Sequence, residues 1–204
     1  MSHSPSEFGP LTYIPRCYGY SEKGSVLEVY EPHSELPQIL IMGAIHGDES
    51  LSTVLLSECL RSIQDHELKS SVILAANPDG VVAGTRCNSR GVDLNRNYPT
   101  DNWSPDPVYY RNRPGTPQNI ALSPGDVPGS ESETKALIKL ILEIKPSLIV
   151  SIHGFLGCMD DPDASSIAKD IAQRSGLELV PDVGYATPGS FGSWCKEQAI
   201  QIIT

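Results

Sequence analysis

His46 and Glu49 stand three residues apart, and His153 follows 107 positions after His46 at the end of an apolar run. Two imidazole nitrogens and one carboxylate oxygen form the ligand set of a catalytic zinc, which keeps one coordination position open for water. Iron accepts a similar triad, so the residue types argue for a divalent metal more firmly than for zinc itself. A His-x-x-Glu pair alone is a weak signal, because a surface turn with a capping acid spells the same letters. Three features strengthen it here. An apolar run ends just before His46, Gly47 suits a tight turn, and a second His-Gly pair, His153-Gly154, follows another apolar run. His3, His33 and His66 lie in polar or terminal contexts and read as solvated.

A second constellation is Arg86-Cys87-Asn88-Ser89-Arg90-Gly91-Val92-Asp93-Leu94-Asn95-Arg96-Asn97. Guanidinium groups bind carboxylates through two parallel hydrogen bonds, and an amide adds a donor and an acceptor. The stretch therefore suits recognition of an anionic substrate. Read in isolation, it also fits an exposed polar loop.

These residues need elements to hold them. Gln38–Ile45 reads as a buried strand, and Leu51, Val54, Leu55, Cys59 and Ile63 follow helical spacing behind Asp48 as N-cap. His46 then lies at a strand's carboxyl end and Glu49 in the first turn of the next helix, the corner where open α/β sheets place ligands. Ser71–Ala76 is a second strand, stopped by the turn sequence Asn77-Pro78-Asp79-Gly80. Ser130-Glu131-Ser132-Glu133 reads as a capping box for a helix that buries Leu137, Leu140, Ile141 and Ile144. Pro146 closes that helix, and the strand Leu148–Ile152 delivers His153 to the same sheet edge as His46.

Ile167, Ala168, Ile171 and Ala172 outline a helix ended by Gly176. Another starts near Phe191 behind Ser190, and Ile200–Thr204 begins a strand. Seven prolines between Pro99 and Pro128 predict a long ordered loop or a lid over residues 99–128. The alternation of elements predicts an α/β fold in a single domain over residues 1–204.

With 204 residues, 39% hydrophobic and 20% charged, the chain can bury a full core. A net charge of −10 without a basic run argues against nucleic-acid binding. It also requires a local cationic patch wherever an anionic substrate is received. The five cysteines are widely spaced with no Cys-x-x-Cys pair, so reduced thiols are expected. No run is long enough to span a bilayer, and the polar start lacks a secretory h-region, so a cytoplasmic location and no membrane partner are expected. Oligomeric state stays open, a homodimer included.

Four motifs, His46-x-x-Glu49, Asn77-Pro78-Asp79-Gly80, Gly91-Val92-Asp93-Leu94-Asn95-Arg96-Asn97 and Ser151-x-His153-Gly154, occur in the order found in the zinc carboxypeptidase family. The chain resembles that family from about Ile39 onward. The resemblance implies a three-layer sandwich around a central mixed β-sheet and one Zn2+ per chain, bound by His46, Glu49 and His153. Arg86 is the implied catalytic group, polarising the scissile carbonyl and holding the oxyanion. Asn95 and Arg96 are the implied clamp for a substrate carboxylate, and Tyr185 closes over bound substrate. Ser193 stands where the family's digestive enzymes carry an aspartate, so a different pocket is expected.

Pro128-Gly129-Ser130-Glu131 and the run from Gly184 to Trp194 are similar to a bacterial branch acting on murein peptides. That branch cuts between γ-D-glutamate and diaminopimelate in recycled cell-wall peptides, so a small anionic peptide, the murein tripeptide, is the implied substrate. Arg86, Arg96 and Arg90 would offset the overall acidity, while Asp160 and Asp161 read first as surface acids and alternatively as partners of the distal amine. The family's general-base glutamate aligns two positions beyond Thr204, so the 204-residue chain is expected to bind zinc but turn over poorly. N-acyl amino acid deacylase and a non-catalytic peptide-binding module are the alternative readings.

Overall fold

The structure, a computed structural model, describes residues 9–32, 39–63, 67–112, 118–154 and 156–204. Its elements in chain order are β1 (Arg16–Tyr20), β2 (Val26–Val29), β3 (Ile39–Gly43), α1 (Leu51–Ser62), β4 (Ser71–Ile73), α2 (Pro78–Ala83), β5 (Val108–Asn112), β6 (Gln118–Leu122), α3 (Ser132–Ile144), β7 (Leu148–Ile152), β8 (Cys158–Asp160), α4 (Ser166–Ser175), β9 (Glu178–Val180), α5 (Phe191–Glu197) and β10 (Gln201–Ile203). Short 3-10 turns cover Gly47–Glu49 and Leu94–Arg96.

Four strands in the order β10-β7-β3-β4 form the central sheet, and all three of their pairings are parallel. A bridge from Tyr30 to Val72 joins the antiparallel β1–β2 hairpin to its β4 edge and makes the sheet mixed. Parallel strands are covered on both faces, which is why β3 and β7 read as continuous apolar runs. Leu40, Met42 and Ile149 face α3 and α5, where they meet Leu137, Ile141 and Trp194. Ile41 and Ile152 pack toward Leu56 and Leu60 of α1, and Val150 toward Ala168 of α4. The result is an α/β sandwich of three layers.

Register positions the chemistry. Leu40 pairs with Ile149 and Gly43 with Ile152, so the segments after β3 and β7 leave the sheet at one edge. His153 follows β7 directly, whereas His46 lies three residues past Gly43, beyond a corner at Ala44 with φ of 50°.

Several local expectations change. The face of α1 that meets the sheet is Ser52, Leu56 and Leu60, while Leu51, Val54, Leu55 and Cys59 are exposed. That helix carries apolar residues on two faces, and the corner before it decides which one turns inward. Asp48 is not its N-cap: Asp48 lies inside the 3-10 turn, and Ser50 precedes α1 without a side-chain cap. The second strand ends at Ile73, before Asn77-Pro78-Asp79-Gly80, and that sequence opens α2, with the Asn77 side chain accepting from the Gly80 N–H. Pro at the first helical position favours this, because its missing N–H would be unpaired there anyway.

Ser130 does not cap α3. Glu131 occupies the N-cap, and the Ser132 N–H donates to Glu22 from 110 residues away. Residues 99–128 contain the hairpin β5–β6, paired from Val108↔Leu122 to Asn112↔Gln118. Pro99, Pro105, Pro107, Pro124 and Pro128 fall outside the paired residues, where no ladder donor is required.

Candidate metal centre and its cavity

The closed corner after β3 carries His46 and Glu49 inward at 1% and 5% exposure. His153 arrives from β7 with its side chain 18% exposed. The His46 and His153 Nδ1 atoms are 3.2 Å apart. Glu49 places Oε1 at 3.0 Å from the first and Oε2 at 3.0 Å from the second. Ligands held at about 2.0–2.1 Å around a tetrahedral ion lie about 3.3 Å from one another. The three side chains therefore have both the chemistry and the spacing to hold a zinc ion.

Among the described residues one other group has comparable spacing, Glu22, Glu131 and Glu133. It offers no nitrogen, and its oxygens accept from Ser132, Ser130 and Asn88.

Electrostatics prepare the first group for a cation. Burial works against ionisation of Glu49, but hydrogen bonds from His153 and His46 hold its carboxyl well below the usual range. Burial lowers the pKa of His153, with Glu49 opposing, which favours a lone pair on the ring. His46 behaves in reverse: burial disfavours its cation, yet Asp93 raises its pKa.

Asp93 is the residue that sequence reasoning left without a role. It is 1% exposed, and its Oδ1 lies 3.2 Å from His46 Nε2. A carboxylate on the far nitrogen of a ligating histidine fixes its tautomer and orientation. The signal was an acid in the motif that also carries Asn95 and Arg96. Its partner, 47 residues earlier, could only come from the fold.

Arg86 donates to Glu49 Oε1 at 3.1 Å and to Asp93 Oδ2 at 3.3 Å, bridging both carboxylates. It lines a cavity of about 1630 Å³ together with His46, His153, Asn95, Arg96 and Tyr185. Asn95 accepts from the Phe191 N–H at the start of α5, a bond that fixes its side-chain amide at the cavity wall. Arg96 is 7% exposed, with no carboxylate partner among the described residues and a buried Nε that has no hydrogen bond. Burial lowers its pKa, opposed mainly by Asp93. A buried guanidinium with no ion-pair contact among the described residues, beside a cavity, is suited to an incoming carboxylate.

Tyr185 is 58% exposed in a segment without regular structure, so it is not a packed core aromatic. Asp160, Asp161 and Ser193 also line the cavity. The Asp161 carboxylate is committed to Ser165 and to the Asp163 N–H, so it is a loop brace and not an open acid. Arg90 is absent from the cavity wall and pairs with Asp126 at 2.9 Å. The segments holding His3, His33 and His66 lie outside the described residues.

Residues 19–159 match the zinc carboxypeptidase family. The chain belongs to that family. It is 43% identical to murein peptide amidase A of Escherichia coli over 189 residues, covering 92% of this chain and 78% of the relative. Against murein peptide amidase A of Vibrio campbellii the identity is 42% over 201 residues, with coverage of 98% and 81%. The crystal structure of murein-tripeptide amidase from Escherichia coli superposes with a TM-score of 0.94 at 40% identity, covering all 100% of this chain and 88% of that one. Family membership makes the chain a hydrolase, and the family's zinc dependence agrees with the donor set described above.

Proposed function

We propose that this chain is a zinc-dependent amidase of one catalytic domain that hydrolyses the amide between γ-D-glutamate and diaminopimelate in murein tripeptides. The observation that carries the reading is the meeting, in one cavity, of a His-Glu-His donor set and a buried arginine with no ion-pair contact among the described residues. Identity of 42–43% to murein peptide amidases supports the substrate class. The cavity exceeds the roughly 300–1,000 Å³ of a small-molecule pocket, leaving room for a tripeptide.

A bound zinc ion would supply Lewis acidity and an activated water. The chain's own residues supply binding, orientation and charge stabilisation. His46, Glu49 and His153 hold the ion, and Asp93 orients His46. Arg96 and the Asn95 amide bind the carboxylate at the substrate's end, which positions the scissile carbonyl beside Arg86. Arg86 donates to the carbonyl oxygen as negative charge develops there, a role suited to a fixed cation in a partly desolvated site. Tyr185 covers the bound peptide. Of the two acids offered as alternative partners of the distal amine, Asp161 is already committed, and Asp160 is the one whose Oδ1 has no hydrogen bond among the described residues.

All five cysteines are free, which fits a reducing cytoplasm. Among the described residues no helix is long and apolar enough to cross a membrane.

Hydrolysis of L-Ala-γ-D-Glu-diaminopimelate, set against acetyl- and succinyl-amino acids, tests the assignment. Release of diaminopimelate with little deacylation is expected. Preference for the acyl amino acids would move the chain to the deacylases. Tight binding of the tripeptide without turnover, in a form that carries the aligned general-base glutamate, would make it a binding module.

A further inference from the structure

The backbone between β3 and Glu49 folds back on itself. Ala44 adopts a left-handed conformation with φ of 50°, unfavourable for a residue that carries a Cβ. Its N–H donates to Ser52 Oγ at 2.9 Å, and the same hydroxyl donates to the Glu49 carbonyl at 2.8 Å. Ser52 is 4% exposed in the first turn of α1. Gly43 makes room for it, since a Cβ there would lie 2.9 Å from Ser52 Oγ. The Ala44 carbonyl accepts from the Asn77 N–H at 2.9 Å, and the Gly47 N–H donates to the Arg86 carbonyl at 3.2 Å. A helical serine commonly bonds back to a carbonyl three residues earlier, and that alone would be local decoration. The second bond, to the last turn of chain leaving the sheet, spans the segment that holds His46.

We propose that Ser52 is a positioning residue of the metal centre. Its hydroxyl ties the end of β3 to the Glu49 carbonyl, and so fixes the His46 and Glu49 donor atoms relative to each other before a metal arrives. The inference rests on the reading of His46, Glu49 and His153 as zinc ligands. Ser52 touches neither metal nor substrate and acts only through the backbone of the ligands.

The test is zinc affinity by competition with a chromophoric chelator, with cobalt substitution to report coordination geometry. Wild type, Ser52→Ala, Ala44→Gly and the double variant are compared. One zinc per chain is expected in each, with Ser52→Ala binding about tenfold more weakly and its cobalt d–d bands altered. Ala44→Gly should bind like wild type, and the double variant like Ser52→Ala, because the tether is what was lost. If Ser52→Ala does not fold, the double variant, whose left-handed residue has no Cβ, is measured against Ala44→Gly instead. Affinity within about twofold and unchanged cobalt bands would overturn the inference alone, leaving Ser52 a stability residue. Absence of zinc binding by wild type would overturn the metal-centre reading and this inference with it.

Discussion

His46, Glu49 and Asp93 are between 1% and 5% exposed, while Tyr185, on the wall of the same cavity, is 58% exposed. At the first place the side chains are braced from several directions, and Arg86 bridges two carboxylates. At the second, residues 181–190 form no regular element, and Tyr185 takes part in no hydrogen bond among the described residues. The difference teaches which part of the site is built in advance. A metal centre gains from donors already at ligand spacing, so reorganisation on binding is small. A surface that must admit and release a peptide gains from being open, with its ordering deferred until substrate is present.

Predictions follow that contrast from the braced region outward. His46→Ala should abolish zinc retention and amidase activity together, read by metal content and by diaminopimelate release. Full zinc occupancy in that variant would show that the ligand set is misassigned. Asp93→Asn should lower zinc affinity about 10- to 100-fold while the ligands themselves remain, checked by chelator competition. Arg96→Ala should lower kcat/KM by about tenfold or somewhat more on carboxylate-ended peptides, with little effect on amidated ones. An equal loss on both would mean that Arg96 braces the fold and does not read the carboxylate.

Tyr185→Phe should cost about two- to tenfold in kcat/KM, consistent with one hydrogen bond formed only with substrate, and should leave zinc affinity unchanged. The smallest effect concerns Asp79, behind the corner. Burial opposes its ionisation, yet hydrogen bonds from Ser25, Ser21, the Lys23 N–H and Ser89 hold its carboxyl below the usual range. A depressed folded-state pKa contributes stability above the unfolded value and loses it as pH falls. The melting temperature should therefore be level near neutrality and decline below about pH 4, and Asp79→Asn should soften that decline.

The strands β3 and β7, the helices α3, α4 and α5 and the donor set His46, Glu49 and His153 were legible as residues because each carries a local signal. Apolar runs mark strands buried on both faces, Leu137, Leu140, Ile141 and Ile144 mark one side of α3, and Gly176 marks the end of α4. The inward face of α1 was not legible, since apolar residues lie on two sides of that helix and the Ala44 corner chooses between them. Glu22 as the acceptor at the start of α3, and Arg90 as a partner of Asp126 and not of the cavity, depend on chain segments that meet only after folding.

Taken alone, the sequence determined the chemical kinds present: two imidazoles, an acid, a run of guanidinium and amide groups, and the alternation that builds an α/β sheet. Tertiary structure decided their partners. Only the parallel register of β3 and β7 brings two nitrogens 107 residues apart to 3.2 Å, and only the return of the Arg86–Arg96 segment sets Asp93 behind one of them. Residue type is a local property, whereas the distance between residues far apart in the chain is set by packing of the whole sheet.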